Sequence, residues 1–94
     1  MSDLSGKTVL LTGASKGIGA AIAESMVAAD ARLIAHYGGD RAGAEAATAS
    51  AKPGQATLLQ ADFADMGAVD RLWAQARDAA GGHIDVLVNN AGIM

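Results

Sequence analysis

Three glycines lie within seven positions of the segment TGASKGIG, residues 12–19. The segment follows an apolar run and precedes an alanine-rich stretch, which predicts a turn between a buried strand and a helix. Gly13 would let the chain turn sharply, Gly17 would let backbone approach a pyrophosphate, and Gly19 would let the helix pack closely on the sheet. The N–H groups and the positive dipole end at the start of a helix attract phosphate. We therefore interpret the segment as a phosphate-binding turn and not as a merely flexible loop.

The ends of two later predicted strands carry further polar residues. Asp62 and Phe63 end the third strand, and the motif NNAG, residues 89–92, ends the fourth. In a parallel sheet of order 3-2-1-4, these ends lie beside the glycine turn at one edge. There Asp62 could accept a hydrogen bond from the amino group of an adenine ring, and the small residues Ala91 and Gly92 could let a ribose approach the backbone. Each segment alone could be an ordinary polar turn, but together with the glycine turn they predict a dinucleotide site.

Other chemistries are disfavoured by the positions of the residues that they need. The segment SGKT, residues 5–8, resembles the end of a P-loop, but Met1 stands where that loop needs its first glycine, and the segment precedes a strand instead of following one. His36 and His83 stand alone in the sequence, so we expect them to pack at the surface or at strand ends, without a catalytic or metal-binding role. Because the chain has no cysteine, it can form neither a disulfide nor a thiolate metal site.

Strand-like and helix-like segments alternate along the chain. The strands are expected in KTVLLTG, RLIAHY, ATLLQAD and IDVLVNN; the helices are expected from Gly17, in DRAGAEAATASA up to Pro53, and after a capping Asp65 up to Gly81. The residues expected to face the core are Ile18, Ile22, Met26 and Ala29 in the first helix and Met66, Val69, Leu72, Trp73 and Ala76 in the third. Short connections predict parallel strands with right-handed crossovers. The expected fold class is α/β, a doubly wound parallel sheet of which four strands and three helices are present.

The composition limits the number of domains and the kinds of partner. The 94 residues form at most one small domain, and a hydrophobic content of 51% with mixed charges is typical of a folded α/β unit. A net charge of −3 gives no electrostatic reason to expect nucleic acid or an acidic membrane as a partner. No apolar run approaches the ~20 residues of a membrane span, and the segment MSDLSGK has no secretory-signal pattern. We therefore expect a cytoplasmic protein.

These motifs resemble those of the short-chain dehydrogenases/reductases, in particular the members similar to 3-oxoacyl-ACP reductases. TGASKGIG is similar to the family's T-G-x-x-x-G-x-G cofactor motif, Asp62 to its adenine-contacting aspartate, and NNAG to its N-N-A-G motif. The resemblance implies a Rossmann-type domain that binds NAD or NADP, hydride transfer with a small-molecule alcohol or carbonyl substrate, and a homodimer or homotetramer. The cofactor-binding residues that it implies are Gly13, Ser15, Lys16, Gly17, Ile18, Gly19, Tyr37, Asp62, Phe63, Asn90, Ala91 and Gly92.

The family's catalytic asparagine, serine, tyrosine and lysine all follow the N-N-A-G motif, so we expect no catalytic residue among residues 1–94. Tyr37 is the only tyrosine, and four positions later Arg41 stands where the family's catalytic pair has lysine. We therefore expect residues 1–94 to be the N-terminal portion of a single NAD(P)-binding domain whose C-terminal remainder is absent, and this chain alone to be inactive. The alternative is a non-catalytic dinucleotide-binding or interaction module that is complete at 94 residues.

The end of the second predicted strand bears on the choice of cofactor. NAD-binding domains place an acidic residue there, which holds the ribose 2′-OH and would repel a 2′-phosphate. Tyr37 occupies this position, and the nearest acid, Asp40, is displaced into the following loop. Lys16 in the glycine turn could reach a 2′-phosphate, and Arg41 is near the strand end in sequence. We therefore expect NADP in preference to NAD.

Asp30 stands between the first helix and the second strand, where the family generally has glycine. Aspartate tolerates the left-handed backbone conformation better than most residues, though at a cost of about 1 kcal/mol relative to glycine. We expect a left-handed Asp30 and a slightly weakened helix end.

Overall fold

Strands and helices alternate along residues 3–91, the part of the chain that the computed structural model describes. The elements are β1 (Thr8–Thr12), α1 (Gly17–Ala28), β2 (Arg32–Tyr37), α2 (Arg41–Ala47), β3 (Ala56–Gln60), α3 (Ala68–Ala79) and β4 (Val86–Asn89). The four predicted strands and the three predicted helices are all present, in the predicted order.

The four strands form one parallel sheet of order β3-β2-β1-β4, which confirms the predicted arrangement. β1 is central: Leu10 lies opposite Ile34 of β2 on one side and Leu87 of β4 on the other. Because all strands run in one direction, their carboxyl ends meet at one edge of the sheet. The glycine turn, Asp62 and Asn90 therefore lie on the same edge.

Helices cover both faces of the sheet, which is why β1 and β2 are continuous apolar runs. Alternate side chains of a strand point to opposite faces. Val9 and Leu11 of β1 accordingly pack on the face covered by α1, where Val27 joins the same buried cluster. Leu10 packs on the other face, in a cluster with Ala76 of α3. This arrangement is the predicted doubly wound α/β fold.

The face of α1 that meets the sheet differs from the predicted face by one position. The residues that α1 buries are Gly19, Ala23 and Val27. Ile18 is 68% exposed, so its assignment to the core is wrong, while Ile22 and Met26 are half-buried at the margin of the core. Because Gly19 and Ala23 are small, the helix axis comes close to the sheet, and the larger side chains beside them cover the edges of the contact.

α3 begins later than predicted. Asp65 is not its N-cap; the residue before the helix is Gly67, whose φ of 85° turns the chain into α3. Leu72 and Ala76 are buried, as predicted. Met66 precedes the helix and is 93% exposed, so its assignment to the core is wrong.

Val69 and Trp73 of α3 are exposed, contrary to their predicted place in the core. Together with Phe63 and Leu87 they line an open apolar groove of about 280 Å³, which we call the α3–β4 groove. The periodicity marks these side chains correctly as an apolar face of the helix. However, within residues 3–91 no element covers β4 on this side, so the face remains open.

α2 is shorter than predicted and ends at Ala47, well before Pro53. The Thr48 hydroxyl donates a hydrogen bond to the carbonyl oxygen of Ala44 at 2.9 Å. Threonine and serine side chains offer the backbone such local bonds in competition with a continuing helix. The polar run that follows α2 therefore leaves the helix before the proline is reached.

Asp30 has the predicted left-handed conformation, with a φ of 66°. Its N–H donates to the carbonyl of Val27 at 3.1 Å, and the N–H of Ala31 donates to the carbonyl of Met26 at 3.1 Å. These two bonds close the carboxyl end of α1. On the surface, Lys52 Nζ lies 3.1 Å from Asp30 Oδ1.

The substitution Asp30→Gly should raise the free energy of unfolding by about 1 kcal/mol, because glycine adopts a positive φ without the strain of a Cβ atom. Chemical denaturation of the full-length protein measures this change. Lys52→Ala is the control, since it removes only the exposed ion pair and should change stability by less than about 0.5 kcal/mol. A lower stability for Asp30→Gly would contradict the assignment of strain to Asp30.

Candidate functional site

A cleft of about 700 Å³ opens at the carboxyl edge of the sheet. This volume is within the range of small-molecule sites, roughly 300–1,000 Å³. The cleft lies between the glycine turn, the end of β2 with its following loop, and the end of β3. The predicted site residues that line it are Gly13, Ser15, Lys16, Asp62, Phe63 and Ala91.

Gly13 begins the glycine turn with a φ of 71°, directly after β1. Its N–H donates to Nδ1 of His36 at 3.0 Å, and the next amide, that of Ala14, donates to the carbonyl of His36 at 2.9 Å. A Cβ atom on Gly13 would lie 3.0 Å from the Cα of Ala91. The turn is therefore held against both neighbouring strands.

Gly19 is the position at which α1 meets the turn. A Cβ atom there would lie only 1.7 Å from the carbonyl oxygen of Gly13, so no other residue fits without moving backbone. Gly17 is different: its φ is 61°, and a Cβ atom on it would have nothing within 4 Å. Gly19 thus fixes the helix, whereas Gly17 leaves open space at its exposed start.

The amino end of α1 is free to receive an anion. Its N-cap residue, Lys16, has an extended backbone, and no side chain caps this end within the described part of the chain. By contrast, α2 is capped by Asp40, whose Oδ1 accepts the N–H of Gly43 at 2.9 Å. Unpaired N–H groups and the helix dipole favour negative charge at such an end.

Asn90 braces the glycine turn from the side of β4. Its Nδ2 donates to the carbonyl oxygen of Gly13 at 3.0 Å. The Thr12 hydroxyl oxygen accepts the N–H of Asn90 at 2.9 Å and that of Ala91 at 3.1 Å. Of the remaining NNAG residues, Gly92 lies outside the described range of 3–91.

The wall opposite the glycine turn is formed by the residues that follow β3. Asp62 is exposed, and its Oδ1 accepts the N–H of Ala64 at 2.9 Å. Phe63 stacks on the imidazole of His36, with ring centroids 4.4 Å apart and planes 4° from parallel. The imidazole is 2% exposed, and this burial lowers the pKa of His36 below its usual range.

Tyr37 lies beside the cleft and does not line it. Its side chain is 6% exposed, and its hydroxyl oxygen accepts a hydrogen bond from Arg41 Nη1 at 3.0 Å. This bond, with a second one to Glu45, raises the pKa of Arg41. The residues that line the cleft after β2 are instead Gly38, Gly39 and Asp40.

Several structural residues of the site are not apparent from the sequence motifs. His36 and Thr12 connect neighbouring strand ends, and Gly43 lets α2 approach the turn, since a Cβ atom there would lie 2.3 Å from the carbonyl oxygen of Ser15. The positions of Thr12 and His36 in the sequence could have indicated these roles, because each residue stands at or next to the carboxyl end of a buried strand. Histidine packing at a strand end was predicted, but its contact with the glycine turn was not.

Within residues 3–91, the histidine, aspartate and glutamate side chains form no group of three or more that could hold a metal ion. Among residues 3–91, no helix is long and apolar enough to cross a membrane.

A parallel sheet of order β3-β2-β1-β4 with a glycine turn between its first strand and first helix defines the class of Rossmann-type dinucleotide-binding domains. Residues 7–94 match the family model described as short chain dehydrogenase. The chain belongs to this family, which confirms the resemblance inferred from the motifs.

Several characterised relatives are similar over nearly the whole chain. The 3beta-hydroxysteroid dehydrogenase 1 of Eggerthella lenta is 42% identical over 93 residues, 97% of this chain and 35% of the relative. The L-rhamnose 1-dehydrogenase (NAD(P)(+)) of Azotobacter vinelandii is 48% identical over 93% of this chain and 36% of its own length. The 3-oxoacyl-[acyl-carrier-protein] reductase of Synechocystis is 39% identical over 99% of this chain and 38% of its own length. The chain thus spans little more than a third of the length of these relatives.

The fold is also similar to solved structures. A Serratia marcescens short-chain dehydrogenase/reductase mutant superposes with a TM-score of 0.82 at 33% sequence identity, over 97% of this chain and 38% of that one. A promiscuous reductase described as LugOII, which catalyses keto-reduction during lugdunomycin biosynthesis, has a TM-score of 0.81 at 31% identity, over 99% of this chain and 41% of its own.

Replacing Gly17 by valine should lower the affinity for NAD(P) at least about tenfold, or 1.4 kcal/mol, because the new side chain fills the open space at the start of α1. Gly54→Val is the matched control: Gly54 also has a positive φ and open surroundings, but lies in a remote turn. Both variants should lose similar stability through backbone strain. Calorimetry on the full-length variants measures the affinities. If the affinity falls equally in both variants, or in neither, the predicted phosphate site is contradicted.

Proposed function

We propose that the chain is the N-terminal, cofactor-binding part of an NAD(P)-dependent oxidoreductase that acts on an alcohol or carbonyl substrate. The observation that carries this proposal is a cleft lined both by Lys16, the N-cap residue of the uncapped helix α1, and by the exposed Asp62. Within a dinucleotide, the pyrophosphate and the adenine are the groups that would match these two features. The bound cofactor supplies the hydride acceptor or donor.

The residues in and beside the cleft have the chemistry that each part of a dinucleotide would need. Gly17 and Ile18, at the open start of α1, would offer N–H groups to the pyrophosphate. Asp62 and the backbone of Phe63 would hold the adenine. Ala91, the small residue beside Gly13, would let the ribose lie against backbone. Asn90 would act indirectly, by holding the carbonyl of Gly13 in place.

The charges around the cleft favour NADP over NAD. The loop after β2 presents Gly38, Gly39 and Asp40 to the cleft, but β2 itself ends in Tyr37 and not in the acidic residue with which an NAD-binding domain would hold the ribose 2′-OH. The nearest acid, Asp40, uses its Oδ1 to cap α2. Lys16 is exposed at the rim, where its ammonium group could pair with a 2′-phosphate.

The catalytic groups would come from a longer chain. The relatives are nearly three times as long as the aligned region, as a coverage of 35–38% implies. The open α3–β4 groove supports this part of the proposal, because an apolar face of this kind is normally covered by further structure. We also propose that the complete protein is a homo-oligomer, a dimer or tetramer, and that it resides in the cytoplasm, with which its lack of cysteine is compatible.

The protein purified from its natural source should therefore have an intact mass well above 9.3 kDa. That protein should oxidise NADPH with carbonyl substrates or reduce NADP with alcohols, followed by the absorbance of the reduced nicotinamide. The 94-residue chain expressed alone should show no turnover, because positioned acid–base groups are needed for the proton transfer. A natural product of 9.3 kDa that binds the dinucleotide without turnover would favour a non-catalytic module instead.

In the full-length protein, Lys16→Ala should lower the affinity for NADP by about tenfold or more and leave that for NAD nearly unchanged, because only NADP carries the 2′-phosphate. Gly38→Asp should act in the opposite sense by repelling that phosphate. Lys7→Ala is the matched control, since Lys7 is exposed just before β1, at the other edge of the sheet. If calorimetry shows that Lys16→Ala lowers the affinities for NADP and NAD equally, the proposed preference for NADP loses its main support.

A further inference from the structure

We propose that His36 is a positioning residue of the dinucleotide site. Its neutral imidazole holds the glycine turn and the residues that follow β3, among them Asp62, at the distance from each other that dinucleotide binding requires. The inference rests on the proposed function, because it assigns a task at the same cleft. It adds that protonation of this one side chain weakens dinucleotide binding.

The contacts of the ring fix its proton. The N–H of Gly13 can only donate, so Nδ1 of His36, 3.0 Å away, must carry the lone pair. The carbonyl oxygen of Ala61 can only accept, so Nε2, 2.9 Å away, must carry the hydrogen. The imidazole is therefore the neutral Nε2–H tautomer, with both nitrogens satisfied.

The two partners of the ring belong to opposite walls of the cleft. Gly13 is the first residue of the glycine turn, and Ala61 directly precedes Asp62. Phe63 stacks on the face of the same ring. Because the imidazole is buried and contacts both walls, it acts as a spacer of fixed width between them.

The side chain of His36 supplies a hydrogen-bond acceptor that the backbone of β2 does not. The bond from the N–H of Ala14 to the carbonyl of His36 is available to any residue at this position. The bond that holds the N–H of Gly13 needs a side-chain acceptor of suitable reach. An apolar side chain of similar volume would leave this amide without a partner, which costs about 1–3 kcal/mol when the group is buried.

Protonation would turn Nδ1 from an acceptor into a donor that faces the N–H of Gly13. The charged groups around the ring are Lys16 from the glycine turn, Asp40 from the loop after β2, and Asp62 from the end of β3. Tyr37 is the adjacent titratable residue in β2. Burial opposes the charged imidazole and lowers the pKa of His36, so binding should weaken only in acid, below the ordinary value of 6.5.

The test is calorimetric binding of NAD to the full-length protein between about pH 8 and pH 5. NAD is the suitable probe because it lacks the 2′-phosphate, a group that itself titrates near pH 6. The wild-type affinity should be constant at the alkaline end and fall by up to about tenfold per pH unit below the pKa of His36. His83→Asn is the control, since this exposed histidine precedes β4 at the other edge of the sheet, and it should keep the wild-type profile.

Two substitutions separate positioning from simple packing. His36→Leu should bind NAD about tenfold more weakly at pH 8, because the N–H of Gly13 loses its acceptor. His36→Asn retains an acceptor for that N–H, so it should restore most of the affinity and abolish the loss in acid. Wild-type affinity in His36→Leu, or an unchanged acid loss in His36→Asn, would overturn the proposal; the latter result would assign the loss to Asp40 or Asp62.

A second measurement does not depend on binding. The ¹⁵N chemical shifts of the His36 ring in the ligand-free protein should identify the Nε2–H tautomer, and an Nδ1–H tautomer would overturn the proposal even if His36→Leu fails to fold. Absence of binding of both NAD and NADP to the wild-type protein at pH 8 would overturn the proposed function itself, and the inference with it.

Discussion

The close approach of α1 to the turn after β1 is the constraint on which the site depends. A single methyl group at Gly19 would collide with the carbonyl oxygen of Gly13, so the helix can start where it does only because no side chain is present. This contact fixes the amino end of α1 beside the cleft, which Ser15 and Lys16 line. The left-handed conformation of Gly13 then turns the chain from the sheet edge towards the helix.

Hydrogen bonds from side chains hold this turn from both sides. Asn90 holds the carbonyl of Gly13 from the side of β4, and His36 holds its N–H from the side of β2. Thr12 connects the end of β1 to the chain after β4. Within residues 3–91, every buried side-chain nitrogen and oxygen has a hydrogen-bond partner. A residue whose N–H and carbonyl groups are both bonded is restrained in position, which gives the turn a defined geometry without a ligand.

The charged residues near the cleft divide into those that support the fold and those that remain available. Asp40 caps α2, and Arg41 is held by the hydroxyl of Tyr37 and by Glu45. Lys16 is exposed at the N-cap of α1. The distinction matters for recognition, because a charge already engaged in an intramolecular bond must give up that bond to contact a ligand.

The sequence by itself determined the order and type of the elements, the parallel sheet and the family. Strand and helix periodicities are local properties, and the spacing of the glycines in TGASKGIG records a local turn, so both can be read from neighbouring residues. The left-handed Asp30 could be predicted for the same reason, since the cost of a positive φ is a property of one residue.

Tertiary structure decided what each side chain touches. Whether Ile18 or Gly19 faces the sheet depends on how closely α1 approaches it, and whether Trp73 is buried depends on what lies over β4. The partners of His36 lie 23 and 25 positions away in the sequence. No local pattern encodes such contacts, because they arise only when the ends of β1, β2 and β3 are brought to one edge of the sheet.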